Sequence, residues 1–532
     1  MERQPARHRR LAPHSRRMTI DPLELSVLAH GVAMIAEEMG AVLVRGALSP
    51  NIRERRDASS AVFDRHGRMI AQAAHIPVHL GAMPESVAAV RARNPVPGDV
   101  FLLNDPYHGG SHLPDLTLVE VVEVDGIIGG FAAVRAHHAD VGGMSPGSMP
   151  QGATELVQEG LIVPPVRLVR AGVLDEELLG FVLANVRTPA ERRGDLGAQL
   201  AACATGAAGW RSLAARLGTA TLDSACDALL DYAERRVRAR LATLEGRTGR
   251  ATDRLEGDGV TDTDIDVVVA LSIRDATLHL DFTGSAPQVA GNVNCPAAVT
   301  RAAAVFALRT LLDDDVPTND GIARAIALTL PDRSAVNAAW PAAVAAGNVE
   351  MSQRIADTIL AAFGDAGVDV AAQGQGTMNN VTFGGAGWTF YETLGGGQGA
   401  SVHGPGPSGV HVGMSNTLNT PVESLERSTP LRVDRYTLRN GSGGSGAQAG
   451  GTGIVRAYRA TAACTVTLLT ERRRHAPRGV AGGGDAKPGR NLLNDVPLPA
   501  KCRVALTAGD VVTIETPGGG GYGAPRVAPV AE

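Results

Sequence analysis

Residues 104–115 and 136–140 concentrate the side chains that could carry out chemistry. The segments NDPYHGGSHLPD and AHHAD contain four histidines and three aspartates, which are His108, His112, His137, His138, Asp105, Asp115 and Asp140. Imidazole and carboxylate ligands together suit a divalent cation such as Mn, Zn or Fe. A purely structural polar network is the alternative. We favour a metal site, in which three or four of these groups bind the cation and the others orient the ligands.

The segment between the two motifs predicts a β-hairpin that brings them to one end. Residues 116–124 are largely apolar and β-branched, Asp125-Gly126 is a two-residue turn signal, and residues 127–134 lead back. With a two-residue loop, residue 124 pairs with residue 127, and the numbers of facing residues sum to 251.

This register predicts which side chains meet at the open end of the hairpin. His112 is expected opposite Ala139, and Asp115 is expected opposite Ala136, beside His137. Most of the nitrogen and carboxylate candidates would therefore lie together.

The composition indicates a globular chain that is too long for a single core. A length of 532 residues suggests about two to four domains. The net charge of −5 argues against a nucleic-acid or polybasic-membrane partner, and an aromatic content of 3% argues against base stacking. Five dispersed cysteines without CxxC spacing fit reduced thiols in the cytoplasm. No run is long and apolar enough to predict a transmembrane helix.

Residues 1–17 are basic and lack the apolar region of a secretory signal. They predict a disordered tail, or an over-long start that places the true beginning at Met18.

The pattern along the rest of the chain predicts a mixed, multi-domain α+β fold. An Asp21-Pro22 cap begins a helix over 23–48, a hairpin follows over 60–74, and residues 100–104 form a short strand. Further helices are predicted over residues 221–245, 299–312 and 351–363.

Three domains are expected after the tail, with the first boundary in the stretch 246–257. Residues 18–247 would form an N-terminal α/β metal-site domain with a helical C-terminal part. Residues 248–370 would form a mixed α/β domain, and residues 371–532 a β-rich domain with glycine loops.

Several loops invite a functional interpretation. Residues 141–153 are rich in Gly and Pro, which predicts a functional loop or lid. The GxSxG pattern around Ser145 lies there without a following helix, so it lacks the context of a nucleophile elbow.

The glycine loops at 395–400, 441–453 and 518–523 could cradle phosphate, but none matches a P-loop. We expect these glycine loops to form tight turns instead.

Two polar clusters, 374–380 and 410–423, could bind a substrate through side-chain amides and imidazole. Turns built on Asn side chains are an equally good alternative. The candidate substrate-binding residues are Asn379, Asn380, His411 and Asn416.

Ten motifs spread over nearly the whole chain from Met18 carry a family resemblance. They are SPNIRERRD, AQAAHIPVHLGAMPESV, NDPYHGGSHLPD, HHADVGG, SMPQGATELVQEGL, DFTGSAPQVAGNVN, PAAVAAGNVEMSQRIAD, QGTMNNVTFGG, HVGMSNTLNTPVE and GGGGYG. Together they resemble the hydantoinase B family, which includes the C-terminal half of 5-oxoprolinases and one subunit of acetone carboxylases. The full set is specific, although each motif alone is not.

The resemblance implies a two-subunit, ATP-dependent machine. A hydantoinase A-type partner with an actin-like site would bind ATP and phosphorylate the carbonyl oxygen of a cyclic amide. The B-type chain would complete ring opening by attack of water at a divalent metal. Carried over residue by residue, the metal ligands fall on Glu54, His112, Asp115 and His137. Asp57, one helical turn from Glu54, could take its place.

The remaining residues of the motifs receive supporting roles in this interpretation. His138 and Asp140 would orient ligands or face the substrate, with Asp140 as the preferred proton acceptor. Asp105 and His108 would be outer or alternative ligands. The expected function is ATP-dependent hydrolysis of a hydantoin, 5-oxoproline or lactam. An ATP-dependent carboxylase subunit and a non-catalytic scaffold subunit are the alternatives.

Overall fold

The computed structural model describes residues 21–525, and the predicted tail at residues 1–17 lies outside that range. Within it the chain forms ten α-helices and four β-sheets, which confirms the mixed α+β prediction. The helices are α1 (Pro22–Gly46), α2 (Pro50–Arg53), α3 (Met83–Arg91), α4 (Glu176–Ala184), α5 (Pro189–Leu217), α6 (Thr219–Ala242), α7 (Ala297–Arg309), α8 (Asp320–Ala323), α9 (Ser352–Asp365) and α10 (Val422–Ser428).

The first sheet is formed by seven antiparallel strands. They are β1 (Ala58–Asp64), β2 (Met69–Ala74), β3 (Val100–Leu103), β4 (Asp115–Val124), β5 (Ile127–His137), β6 (Val166–Arg170) and β7 (Val173–Leu174), in the order β2-β1-β5-β4-β3-β6-β7. Alternate residues face two cores. Leu118 and Val134 pack in the core shared with α1 and α5, whereas Val119 and Ala133 pack in the core shared with α3. The central hairpin is therefore buried on both faces.

Three further sheets follow along the chain. The second contains β8 (Thr248–Glu256), β9 (Asp264–Arg274), β10 (Thr277–Asp281) and β11 (Ile326–Thr329), in the order β11-β10-β9-β8. The third contains β12 (Asn380–Gly385), β13 (Trp388–Glu392), β16 (Cys464–Leu469) and β19 (Lys501–Leu506), in the order β13-β12-β16-β19. The fourth contains β14 (Leu431–Arg439), β15 (Gly453–Ala460), β17 (Arg490–Leu493), β18 (Val496–Leu498) and β20 (Val511–Glu515), in the order β14-β15-β20-β17-β18.

The predicted helices are confirmed to within a few residues. Helix α1 begins at its expected cap, because the Asp21 side chain accepts a hydrogen bond from the Leu23 amide at 2.7 Å. Its buried residues Met39 and Leu43 share a core with α5. The expectation that no run is long and apolar enough to cross a membrane is wrong for α1, which alone among the described residues has that length and composition, a property shared by core helices of globular proteins.

Most of the expected boundary stretch 246–257 is a strand. Its residues 248–256 form β8, which pairs with β9 over nine residue pairs and starts the second sheet. Within β8, Asp253 is buried and lies 2.9 Å from the Arg472 guanidinium and 3.2 Å from the Arg354 guanidinium. These ion pairs tie the second sheet to α9 and to the segment after β16. The division of the chain into three domains stays a prediction.

The predicted hairpin register is wrong by one residue at its open end. Val124 faces Ile127 as expected, but a bulge after Val122 shifts the pairing. As a result Asp115 lies directly opposite His137 rather than opposite Ala136. The bulge therefore brings these two groups into one pair.

The glycine loops form a bundle of backbones packed side by side, rather than a set of isolated turns. Gly444 donates a backbone hydrogen bond to Gly519, Gly519 donates to Gly451, and Gly521 donates to Gly484, each at 2.9 Å. These amides are satisfied by carbonyl groups and are not directed at a phosphate site. The bundle joins segments that are far apart in the sequence.

The bundle requires glycine because its backbones approach too closely for side chains. A Cβ atom on Gly450 would lie 1.8 Å from the Gly519 oxygen, and one on Gly397 would lie 2.1 Å from the Gly451 oxygen. The high glycine content thus serves close backbone packing in the C-terminal part of the chain.

Candidate metal site

The hairpin end and the loop before it assemble a buried group of three possible metal ligands. Asp115 is the first residue of β4, His137 is the last residue of β5, and His112 lies three residues before Asp115. Ligand-type atoms of His112, Asp115 and His137 all lie within 4.8 Å of one another. All three side chains are almost completely buried.

The atoms that face one another in this group fit a cation. The His112 Nε2 atom lies 3.2 Å from Asp115 Oδ1, and the His137 Nδ1 atom lies 3.5 Å from the same oxygen. His112 Nε2 and Asp115 Oδ1 have no hydrogen-bond partner within residues 21–525. Leaving buried polar atoms unpaired is costly, and a divalent cation would satisfy both of them.

The orientation of His112 is set by a segment from the other side of the molecule. The His112 Nδ1 atom lies 3.1 Å from the Ala345 carbonyl oxygen, which leaves Nε2 directed at the group. The Val344 and Ala345 amides in turn donate to Glu159 Oε1 at 3.0 and 2.8 Å. Glu159 therefore positions the carbonyl group that orients His112.

Sequence reasoning missed His79, which contacts Asp115 from a neighbouring turn. Its Nε2 atom lies 3.3 Å from Asp115 Oδ2, and its Nδ1 atom lies 2.9 Å from Ser59 Oγ. The Ser111 hydroxyl donates to the same Asp115 oxygen at 2.6 Å. One carboxylate oxygen of Asp115 is thus held by neighbours while the other faces His112. The signal was present in the motif AQAAHIPVHLGAMPESV, but His79 lies 33 residues before His112.

The electrostatics of the group favour an ionised aspartate among histidines. Burial by itself would raise the pKa of Asp115, but His112, His79 and His137 around it hold that pKa well below its usual range. Burial also opposes charge on His112, yet the Asp115 carboxylate outweighs it and raises the pKa of His112. Burial lowers the pKa of His137. A cation would take the place of the proton on His112.

The structure does not bring Glu54 into this group. Glu54 ends α2 with its side chain partly exposed, 3.7 Å from the Arg53 guanidinium. Asp57 is buried nearby, where its backbone oxygen accepts a hydrogen bond from the His137 amide at 3.0 Å. Its carboxylate lies 3.8 Å from the Arg55 guanidinium.

Asp140 and His138 lie beside the group but make different contacts. Asp140 accepts hydrogen bonds from the Gly142 and Gly147 amides at 2.9 Å, and its carboxylate pairs with Arg187 at 2.9 Å. This geometry favours a role for Asp140 in holding the loop at 141–153 over a role in proton transfer. His138 Nε2 lies 2.8 Å from Gln199 Oε1.

The contact with Gln199 defines the proton on His138. An amide oxygen only accepts, so His138 carries its hydrogen on Nε2 and presents a lone pair on Nδ1. That Nδ1 atom is buried and has no partner in the described part of the chain. Burial, together with Arg192, lowers the pKa of His138 to about 4, so its ring is neutral near pH 7.

Asp105 and His108 form a separate pair at the surface end of the loop. The His108 Nδ1 atom lies 2.7 Å from Asp105 Oδ2, and the His108 side chain is 67% exposed. Their contact lies outside the His112, Asp115 and His137 group.

The four predicted substrate-binding residues all make contacts within the chain, and their role stays a prediction. Asn380 accepts a hydrogen bond from the Tyr391 hydroxyl at 2.8 Å, and the Tyr391 ring stacks on His137 with centroids 4.5 Å apart. Asn379 donates to Gln375 Oε1 at 2.8 Å.

The other two substrate-binding candidates are also engaged within the chain. Asn416 is exposed and donates to the His75 backbone oxygen at 3.0 Å. His411 lies 2.8 Å from Ser415 Oγ, and burial lowers its pKa to about 3. Of the four, Asn380 connects to the metal group, through Tyr391.

The sequence matches the family model described as Hydantoinase B/oxoprolinase over residues 21–525. This chain belongs to that family. It is 38% identical to 5-oxoprolinase 1 of Arabidopsis thaliana, over 94% of this chain but only 42% of the plant protein. It is 30% identical to a putative B-type subunit of a D-/L-hydantoinase from a Pseudomonas species, over 96% of this chain and 91% of that one.

Two solved structures share the fold of this hydantoinase B/oxoprolinase family member. The ATP-dependent caprolactamase of Pseudomonas jessenii superposes with a TM-score of 0.88 at 27% identity, over 95% of this chain and 92% of that one. A nucleotide-free acetone carboxylase superposes with a TM-score of 0.85 at 18% identity, over 95% of this chain and 76% of that one. The second likeness concerns the fold alone.

The raised pKa of Glu159 predicts that the stability of the folded chain depends on pH. Burial raises its pKa to about 8, so the folded chain holds a proton that the unfolded chain releases above about pH 4.5. Stability should therefore fall as the pH rises towards 8, by on the order of a few kcal/mol. Glu159→Gln keeps an acceptor for the Val344 and Ala345 amides and removes this titration.

The measurement is the melting temperature of both proteins at pH 6 and pH 8.5. We expect Glu159→Gln to gain stability over the wild type at the higher pH. Glu155→Gln, at an exposed position four residues earlier, is the control and should show the same difference at both pH values. A Glu159→Gln difference that does not change with pH would contradict the assignment.

Proposed function

We propose that this chain is the B-type component of an ATP-dependent hydrolase of cyclic amides. The observation that carries the proposal is the buried group of His112, Asp115 and His137, in which His112 Nε2 and Asp115 Oδ1 lack partners in the part of the chain described. The named relatives include a 5-oxoprolinase and a caprolactamase, both directed at cyclic amides. We infer the substrate class, cyclic amides, from the buried ligand group together with the names of these relatives.

In the proposed reaction His112, Asp115 and His137 would hold a divalent cation such as Mn, Zn or Fe. A cation bound there supplies Lewis-acid chemistry, polarising an oxygen of the substrate and lowering the pKa of water. The Ala345 carbonyl group orients His112, and His79 and Ser111 orient Asp115. We retain the predicted contribution of Glu54 as a proposal that needs movement of α2.

We keep His138 as the residue proposed for proton transfer, acting as a weak base because burial lowers its pKa to about 4. Its Nδ1 atom is unpaired among residues 21–525, buried, and adjacent in sequence to His137, and Gln199 fixes its hydrogen on Nε2. An imidazole with a free lone pair can accept a proton from an attacking water molecule. Asp140, the acceptor expected from the resemblance, instead holds the loop at 141–153 against Arg187.

The energy for ring opening is proposed to come from ATP bound by a hydantoinase A-type partner. Amides are poor electrophiles, and phosphorylation of the oxygen makes the carbon open to attack. One relative is named as a single subunit of a hydantoinase, and this chain spans 42% of the longer 5-oxoprolinase 1. Both facts support a partner that is a separate chain in some relatives and fused in others.

The test is a turnover assay of the chain co-purified with a hydantoinase A-type ATP-binding subunit. We expect ATP use that depends on hydantoin, 5-oxoproline or caprolactam and does not need bicarbonate. The same complex carrying His112→Ala serves as the control and should lose that activity. ATP use that requires bicarbonate and a ketone would establish the carboxylase alternative, and a purified chain without stoichiometric metal would favour the scaffold alternative.

A further inference from the structure

Asn348 reaches the metal group from a different part of the chain. It lies in a π-helical turn, Gly347–Met351, that leads into α9. The turn packs tightly, since a Cβ atom on Gly347 would lie 1.8 Å from the Asn294 backbone oxygen. Such turns are frequent at functional sites because the extra residue redirects a side chain. Here the redirected side chain is a buried amide.

The amide of Asn348 has a defined orientation. Its Nδ2 atom lies 3.3 Å from Asp115 Oδ2. Because an ionised carboxylate only accepts hydrogen bonds, the NH2 end must face Asp115 and the oxygen must face away from it. The Asn348 Oδ1 atom is buried and has no donor within the described range. An unpaired buried acceptor beside the metal group is a place for a ligand N–H.

We propose that Asn348 determines substrate specificity by accepting the N–H of the ring amide at Oδ1. The inference rests on the proposed function and names the feature of the substrate that the site recognises. Asn348 and the metal group meet at Asp115. Asn348 Nδ2 contacts the Oδ2 atom of Asp115, and the cation-facing atom of His112 lies 3.2 Å from its Oδ1 atom.

A cyclic amide differs from a peptide amide in the directions of its two polar groups. In a small ring the amide bond is cis, so the carbonyl oxygen and the N–H point to the same side. One edge of the ring can therefore present its oxygen towards His112 and Asp115 and its N–H towards Asn348. The trans amide of a peptide presents these groups on opposite sides and cannot satisfy both contacts.

The test compares rings of equal size that differ only at this position. Caprolactam and 2-pyrrolidinone carry the N–H, whereas caprolactone and butyrolactone replace it with an oxygen. Binding to the Mn2+-loaded chain is measured from the relaxation of ligand protons, which requires neither ATP nor the partner. We expect the wild type to prefer each lactam over its lactone by about tenfold or more, and Asn348→Ala to reduce that ratio to below about threefold.

The control is a second buried asparagine. Asn292 also has an unpaired Oδ1 atom, but its Nδ2 atom donates to the Pro150 oxygen at 2.6 Å rather than to Asp115. Asn292→Ala should keep the wild-type preference. Titration with Mn2+ alone should show that Asn348→Ala still takes up the metal.

The outcomes separate this inference from the proposed function. If the wild type binds neither lactam, the inference is overturned, whereas the proposed function is decided separately by the turnover assay with the partner. If it binds lactams and lactones equally, or if Asn348→Ala keeps the full preference, the inference is overturned while the proposed function stands. If Asn348→Ala loses Mn2+ and weakens all four rings equally, Asn348 only positions Asp115, and the inference is again overturned.

Discussion

Replacing His112 by alanine is expected to abolish metal uptake by this chain and turnover by its complex. His112 provides one of three buried groups that lie within 4.8 Å of one another, and its Nε2 atom faces Asp115 Oδ1 directly. Loss of partners outside the ligand set costs about 10- to 100-fold in metal affinity, so loss of a ligand should cost more. Metal content per chain, measured by elemental analysis of the purified protein, tests the prediction.

The matched control lies four residues earlier in the same motif. His108 is 67% exposed and pairs with Asp105, so His108→Ala should keep both metal and turnover. A His112→Ala protein with full metal content and full activity would end the metal-site assignment. Equal losses in both variants would indicate damage to the loop rather than removal of a ligand.

Replacing Gly450 by alanine is expected to cause a large loss of stability. The new Cβ atom would lie 1.8 Å from the Gly519 oxygen and 2.7 Å from the Gly520 oxygen. Both atoms belong to backbones that are themselves hydrogen-bonded within the bundle, so neither can move alone. Overpacking of buried sites costs about 1–3 kcal/mol and more where the neighbours are backbone. We expect a large fall in melting temperature or loss of soluble protein.

The control is a glycine with free space around it. Gly197 lies in α5, and a Cβ atom there would meet no atom within 4 Å. Gly197→Ala should leave the melting temperature unchanged or raise it, because alanine favours the helix by up to about 1 kcal/mol. A Gly450→Ala protein that melts at the wild-type temperature would contradict the close-packed bundle.

The hairpin shows which features of the fold can be predicted from local sequence patterns. The turn at Asp125-Gly126 and the two strands follow from alternation and turn chemistry, which act between near neighbours. The bulge after Val122, opposite Gly129 and Gly130, does not follow from these local patterns. A Cβ atom on Gly130 would lie 2.6 Å from the Phe63 oxygen and 2.7 Å from Trp210 Nε1.

The residues that complete the site show why composition and spacing were insufficient to predict all of its members. His79, Glu159 and Asn348 reach the group from segments 33 or more positions away from His112. All three lie within motifs that carry the family resemblance, but nothing in those motifs indicates that they contact the same group. Only the folded arrangement places these three residues around His112 and Asp115.

The sequence by itself determined the family of this protein. Two neighbouring motifs rich in histidine and aspartate gave seven candidate ligands, and the family resemblance narrowed them to His112, Asp115 and His137, with Glu54 added from outside. The tertiary structure decided the roles of individual groups. It paired Asp115 with His137 through a bulge and engaged Asp140 with Arg187 and loop amides. Such roles depend on contacts between distant segments, and local sequence cannot specify which burial and hydrogen bonds each group acquires.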